Sequence, residues 1–489
     1  MKNIIIFHYH FLPGGVTTVI KNQIHFLKQF FPDINFILIS SDDKKDSMPD
    51  NYKKLYFPEF DYIENISLDK KSLEQKIEKI LYEIHKQYKN SIWWIHNHHL
   101  GKNPIFTHIL SKFLESTEQK AILQIHDFPE CARLENYQTL LNFYPDIKLY
   151  PLGKNIIYSV INKNDYEILR SSGIPENKLV YLPNIYIKKE IKYNAIQYDL
   201  EKLSYQNGFH FNKNLPIVLY PVRSIRRKNI LEAILFNKVL QNFNLIVTLP
   251  ANSKSEINYS NLVKTIFLKE KVIGAWGIAA QDNNIFDFIL KNSKLIISTS
   301  ILEGFGLFIF DALSAKKNFY ARELPIFKDF NIKNKKIFYN NLYVKIDGNN
   351  LDKIKNMYIA QLKNYDFLKK FENKLMEEIE QNFIGKYIDY SYLDIENQYN
   401  IIKNINKKEI DEIKSINPIF NDFGNMLKEK KFLDLKIDYQ IGNKAIMNLF
   451  TNIDNYFNHN IKTTVQNIEK NVLEKNLNLK NLKLLFNKY

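Results

Sequence analysis

Along the first half of the chain, short apolar runs alternate with stretches of helical spacing. The runs at 4–8, 36–40, 91–96, 121–126, 156–160 and 179–182 predict buried strands. Between them, apolar side chains recurring every three to four positions predict helices over 16–30, 72–88 and 164–171. Such alternation is what a doubly wound α/β domain requires, since parallel strands need crossovers and helices cover the sheet. A polar stretch rich in Asn and Lys, 187–214, predicts a connection, after which the pattern restarts at 216–220. Further strands are expected at 244–248, 271–274, 294–298 and 318–321. Domains are therefore expected over 1–205 and 206–400, and the Lys/Asn-rich text over 401–489 keeps helical periodicity with few turn signals. No repeat at a solenoid period is present.

The run 294–298 leads through a Ser/Thr-rich turn into Glu303, Gly304, Phe305 and Gly306, and helical spacing begins near Leu307. A strand, a glycine loop and a helix start in that order present free backbone N–H groups and the positive end of a helix dipole, which together favour an anion. Glu303 lies in the loop and Asp311 eight residues further on, so the two acids can meet different parts of one ligand. Upstream, the first strand of the second half runs into Arg223, Arg226, Arg227 and Lys228. Fixed cations stabilise a departing diphosphate, Arg as a bidentate fork and Lys as a compact charge.

The first half carries its own candidates. Gly14 and Gly15 join the first strand to a helix, where phosphate or sugar can approach the backbone, although there is no G-x-G-x-x-G fingerprint. His126 and Asp127 end another strand. His96, His98 and His99 fall within four residues and invite a zinc reading. No second cluster at ligand spacing accompanies them and Cys131 is the only cysteine, so no metal is expected. Asn97, His98, Lys102 and Asp127 are candidates for acceptor recognition. Arg133, Glu135 and Asn136 fit either an acceptor loop or a polar surface turn. No G-x-S-x-G elbow, P-loop or H-E-x-x-H is present.

The text from Glu303 to Asp311 resembles the E-x7-E signature of retaining GT-B glycosyltransferases, glycosyltransferase family 4 in particular, whose usual wording is close to EGFGL-x-x-x-E-A. Asp311 stands one methylene short of the usual Glu, and Lys316-Lys317-Asn318 replaces the common small turn after the helix. The resemblance covers about 1–401 and implies the GT-B fold: two Rossmann-like domains facing a central cleft, here with a helical C-terminal extension. It implies metal-independent, retaining transfer of a hexose-type sugar from a nucleotide-diphosphate sugar to a hydroxyl acceptor, with no cofactor. It also implies roles. Glu303 grips sugar hydroxyls and His126 faces the donor sugar. Arg223, Lys228 and the amides of Phe305, Gly306 and Leu307 hold sugar and diphosphate, Asp311 the ribose. Gly14 and Gly15 match a Gly-rich loop at the same place. Cell-surface polysaccharide biosynthesis in the cytoplasm is the setting it suggests.

The formal charge of +15, from 68 basic and 53 acidic residues, raises a nucleic-acid reading. Lys, Asn and Ile are abundant throughout, however, and no RNP-like segment or zinc knuckle accompanies the charge, so no nucleic-acid partner is expected. The charge leaves room for peripheral contact with the inner membrane face. A single cysteine excludes an intrachain disulfide framework and fits a reducing compartment. The opening residues are too briefly apolar for a signal peptide, and no run approaches the ~20 residues that span a bilayer. Two rival readings share the text: a non-catalytic GT-B protein that binds nucleotide sugar, and a basic nucleic-acid-binding protein. A GT-B epimerase or phosphorylase is a third. Intact Arg223, Lys228 and Glu303 favour the transferase.

Overall fold

The computed structural model describes residues 3–482 apart from 44–45, 68, 132, 188–196, 252–253, 281, 384, 434, 436 and 460–466. Its contacts define two units, Met1–Ile187 with Asp438–Leu477, and Lys188–Ile437 with Asn478–Tyr489.

In the first unit, seven strands lie in the order β3-β2-β1-β4-β5-β6-β7. They are β1 (Asn3–Phe7), β2 (Asn35–Ser40), β3 (Lys53–Tyr56), β4 (Ile92–His96), β5 (Ala121–Ile125), β6 (Ile156–Val160) and β7 (Leu179–Tyr181). Every pairing is parallel. β4, β5 and β6 are buried at every position, which is why they read as unbroken apolar runs rather than alternating ones. The chain winds outward from β1 to β3, then returns to β4 on the other side of β1. Loops leaving the carboxyl ends of β1 and β4 therefore diverge, and this switch point is where open α/β sheets bind ligands.

The second unit repeats the plan with β8 (Ile217–Arg223), β9 (Asn244–Leu249), β10 (Gly274–Trp276), β11 (Leu295–Ser298), β12 (Asn318–Arg322) and β13 (Phe338–Tyr339). Their order, β10-β9-β8-β11-β12-β13, places the switch point between β8 and β11. An antiparallel ribbon, β14 (Tyr343–Lys345) with β15 (Tyr387–Asp389), completes it.

The described residues beyond 401 are mainly helical and divide between the units. Helix Ile419–Lys428 sets Phe420 and Phe423 against Phe236 of the second unit, at ring-centroid distances of 4.9 and 5.2 Å. Helix Ile441–Thr451 buries Ile446, Leu449 and Phe450 in the first unit's core beside Ile20, Leu27 and Trp94. It approaches so closely that a Cβ on Gly442 would lie 2.6 Å from the Asn184 carbonyl oxygen.

Most predicted elements are present, displaced by a residue or two. The strand expected at 271–274 is an exception: Lys271 takes a left-handed φ of 48°, and ladder pairing begins only at Gly274. Helices Pro104–Ser116 and Leu134–Phe143 and the short β3, β13, β14 and β15 were not predicted. Of the expected connection 187–214, residues 188–196 lie outside the described residues, and Leu200–Gln206 is a helix. Among the described residues, no helix is long and apolar enough to cross a membrane.

Candidate active site

At the second unit's switch point, the loop after β8 gives its cations different tasks. Arg226 is 2 % exposed and turns inward, donating to Asn229 Oδ1 at 3.0 Å and to the Leu393 carbonyl at 3.1 Å. Asn229 donates to Glu232 Oε2 at 2.7 Å. Glu232 in turn receives Arg322 through Nε at 3.1 Å and Nη2 at 2.7 Å, while Arg322 Nη1 reaches Asp389 at 2.9 Å. This enclosed network fixes the loop from beneath, so Arg227 and Lys228 remain for the open side. Lys228 Nζ pairs with Glu303 Oε1, and Arg227 Nη1 lies 3.7 Å from Glu303 Oε2 while donating to the Leu302 carbonyl at 3.1 Å. Each carboxylate oxygen thus has its own cation. Burial pushes the Glu303 carboxyl up, but Lys228 and Arg227 outweigh it and hold the group below its ordinary range. Burial also lowers the Lys228 ammonium to about 8, with Glu303 opposing.

Arg223 closes β8 at a shift in its register with β9, the kind of irregularity that re-aims a side chain. It is half-buried and makes no ion pair among the described residues. The loop after β11 is joined to the β8 loop directly. Tyr220 Oη hydrogen-bonds the Lys228 carbonyl at 2.5 Å and Ser300 Oγ at 3.0 Å, Thr299 Oγ1 donates to the Asn229 carbonyl at 2.9 Å, and Ile301 N donates to the Arg227 carbonyl at 2.9 Å. Gly306, with φ of 81°, turns the chain into helix Leu307–Ser314, whose N-terminus has no side-chain cap. A Cβ there would lie 2.9 Å from the Phe327 ring, so both conformation and space require glycine. Phe305 is buried and stacks on Phe310 at 5.6 Å, which leaves its backbone as the group it can offer. Leu307 opens the helix, and Asp311 lies on its second turn.

The first unit offers neutral groups at its own strand ends. His96 closes β4, His126 follows β5 directly, and His96 Nδ1 lies 3.0 Å from His126 Nε2 with the rings stacked at 5.3 Å. Asn97 takes a left-handed φ of 57°, which turns its Oδ1 to accept from His126 N at 2.8 Å. Burial lowers the His126 imidazole to about 4, against an opposing pull from Asp127, so the ring is neutral at pH 7. His98 is 1 % exposed and bonded through Nε2 to the Leu149 carbonyl at 2.9 Å, so its ring is engaged within the unit. Lys102 lies over the Tyr62 ring at 4.9 Å, and Asp127 pairs with Arg133 at 3.2 Å. Glu135 and Asn136 fall in the first turn of helix Leu134–Phe143 rather than in a loop, and Asn136 ties that helix to the Leu100 carbonyl at 2.9 Å. Gly14 and Gly15 are exposed at the start of helix Gly15–Phe30, and a Cβ on Gly15 would meet nothing within 4 Å. Packing does not demand glycine there. Among the described residues, no group of three or more His, Cys, Asp or Glu side chains is arranged to hold a metal ion.

The structure therefore brings Glu303 and Lys228 together, and His126 with Asn97. Sequence reasoning missed Arg227 as the second cation on Glu303 and His96 as the partner of His126. His96 could have been found as a polar residue closing a fully apolar strand at the same sheet edge.

No family model matches the chain. The mannosylglucosyl-3-phosphoglycerate synthase of Petrotoga mobilis is 36% identical over 518 residues, covering 99% of this chain and 100% of that protein. Among solved structures, a glycosyltransferase from Rickettsia africae superposes with a TM-score of 0.48 at 18% identity, over 85% of this chain and 99% of that one. The sucrose-phosphate synthase of Thermosynechococcus elongatus also gives 0.48, at 14% identity, over 78% and 95%. With two switch-point sheets, the Glu303–Asp311 loop and a full-length relative, the chain belongs to the retaining GT-B glycosyltransferases. Its activity is that of a hexosyltransferase.

Proposed function

We propose that this enzyme transfers a mannosyl group from a nucleotide-diphosphate sugar to a glucosylated 3-phosphoglycerate, without a metal ion. The relative's name supplies the product, a mannosylglucosyl unit on 3-phosphoglycerate. The observation that carries the donor half is Glu303 held between Lys228 and Arg227 across the second switch point. On this reading the second unit binds donor. Arg223, Lys228 and the amides of Phe305, Gly306 and Leu307 meet the diphosphate and sugar, Asp311 the ribose, and Glu303 the sugar hydroxyls. Fixed cations and amides stabilise the charge that develops as the glycosidic bond breaks. The departing phosphate takes the acceptor proton on the same face, so no protein base is needed. The first unit binds acceptor, with His126 toward the substrate, Gly14 and Gly15 admitting it to the backbone, and Asn97, Lys102 and Asp127 in the surrounding loops; His98, whose ring is engaged with the Leu149 carbonyl, takes no part. Lys102 and Arg133 supply positive charge for an acceptor that carries a phosphate and a carboxylate. A small phosphorylated acceptor does not support the polysaccharide setting and is compatible with a cytoplasmic one.

The test is product formation, followed by mass spectrometry, from a panel of nucleotide-diphosphate hexoses with glucosyl-3-phosphoglycerate and with its dephosphorylated form. Transfer is expected only to the phosphorylated acceptor. Glu303→Gln is expected to lose about 10²–10³-fold in kcat while still binding nucleoside diphosphate. Equal use of the dephosphorylated acceptor would remove the acceptor assignment. A fully active Glu303→Gln would remove the donor one.

A further inference from the structure

Of the two histidines stacked at the first unit's sheet edge, only His126 was a candidate from sequence. We propose that His96 is a positioning residue that holds His126 in the tautomer carrying its proton on Nδ1, so that His126 meets substrate as a hydrogen-bond donor. The inference rests on the reading of His126 as a substrate-facing residue. Two neutral imidazoles 3.0 Å apart share one N–H, so either His96 Nδ1 donates to His126 Nε2 or the reverse.

The reverse arrangement places the second proton of the pair on His96 Nε2. That atom is enclosed and has no hydrogen-bond partner. His96 also borders a small cavity lined by Phe7, Ile39, Phe60, Ile95 and Phe106 together with His8 and Tyr9; none of these pairs with Nε2, so an N–H there would stay unmet, which is costly. Enclosed N–H donors without acceptors are rarer in folded proteins than under-used acceptors. The enclosed Nε2 thus selects His96 Nδ1–H donating to His126 Nε2, which leaves the His126 proton on Nδ1.

The arrangement is held rigidly. Trp94 stacks on the far side of His96 at 5.6 Å and is itself fixed by donating to Gln124 Oε1 at 2.8 Å, while Asn97 holds the His126 backbone. His126 Nδ1 makes no hydrogen bond among the described residues, and the residue is 6 % exposed. A neutral N–H fixed in this way suits a substrate oxygen, and needs no reorganisation to act.

The test is imidazole ¹⁵N NMR of the histidine-labelled enzyme without substrates, with His126 assigned by its loss in His126→Gln. A protonated Nδ1 and a bare, hydrogen-bonded Nε2 on His126 are expected; the opposite tautomer overturns the proposal whatever the enzyme's activity. Kinetics supply the second arm. His96→Leu is expected to lower kcat about tenfold and to change donor KM by less than about twofold, whereas His96→Asn, whose amide N–H takes the place of Nδ1–H, restores most of the rate. An unchanged kcat in His96→Leu would also overturn it. The expected tautomer together with a fully active His126→Gln would overturn the substrate-facing role and leave the His96–His126 pairing standing.

Discussion

Lys228→Met separates what the second unit's site does for binding from what it does for stability. Methionine keeps the apolar stem and removes the ammonium. Burial lowers that ammonium from 10.5 to about 8 even with Glu303 beside it, which corresponds to about 3 kcal/mol by which folding disfavours the charge. Glu303 is not stranded in the variant, because Arg227 remains 3.7 Å away. The variant is therefore expected to be as stable as the parent or up to about 3 kcal/mol more so, at about 2–4 °C of melting temperature per kcal/mol for a unit of this size. Its affinity for nucleoside diphosphate should fall about 10- to 100-fold, the worth of one charge-assisted contact. The pH dependence fixes the sign. With the folded value below the unfolded one, the unfolded chain holds the extra proton between pH 8 and 10.5, so parent stability rises across that window. The gap between parent and variant should close there. Calorimetry from pH 7 upward and titration with nucleoside diphosphates read both quantities. A loss of about 3–5 kcal/mol, the figure for stranding a buried charge, would refute the burial argument, and unchanged nucleotide affinity would refute the assignment of Lys228.

Arg227→Leu should let the Glu303 carboxyl rise, since Lys228 and Arg227 together hold it down. A depressed carboxylate keeps its charge until pH falls through its folded value, so the acid limb of kcat/KM should move to higher pH and return with Arg227→Lys; an unmoved limb counts against Arg227 as a partner of Glu303. Arg322→Met leaves Glu232 and Asp389 buried without their shared guanidinium, at 0 % and 5 % exposure, and should cost about 3–5 kcal/mol in urea denaturation. A loss under about 1 kcal/mol would mean that both carboxyls are protonated in the fold.

What could be read from the sequence follows from how local each cause is. The buried parallel strands announce themselves, because both faces are covered and nearly every residue must be apolar: β4, β5 and β6 lie within a residue of their predicted bounds. The helix at Leu307 was placed correctly because glycine and helical spacing meet at one point. Helix Pro104–Ser116 was missed although its start is written locally, with Asn103 capping Phe106 N and proline in the first turn. The short β13, β14 and β15 are two or three residues long and carry no period to detect. Arg226 and Arg227 show what no local reading supplies. They are neighbours of one type, yet one is buried under Leu393 and Asn229 and the other faces Glu303. Asn229, Glu232, Arg322 and Asp389, gathered from three separate stretches, decide between them.

On the proposed roles, the two units prepare their groups in opposite ways from the same cause. In the second unit burial disfavours the Lys228 charge, and Glu303 is what keeps it. An arriving diphosphate replaces that carboxylate with phosphate oxygens, so the ammonium stays paired while Glu303 Oε1 is released for a sugar hydroxyl and Oε2 remains beside Arg227. The ion pair thus stores the site in a form that substrate exchanges rather than builds. In the first unit Asp127 opposes burial at His126 without outweighing it: burial lowers His126 to about 4 and His8 to about 3, so neither adds positive charge at pH 7.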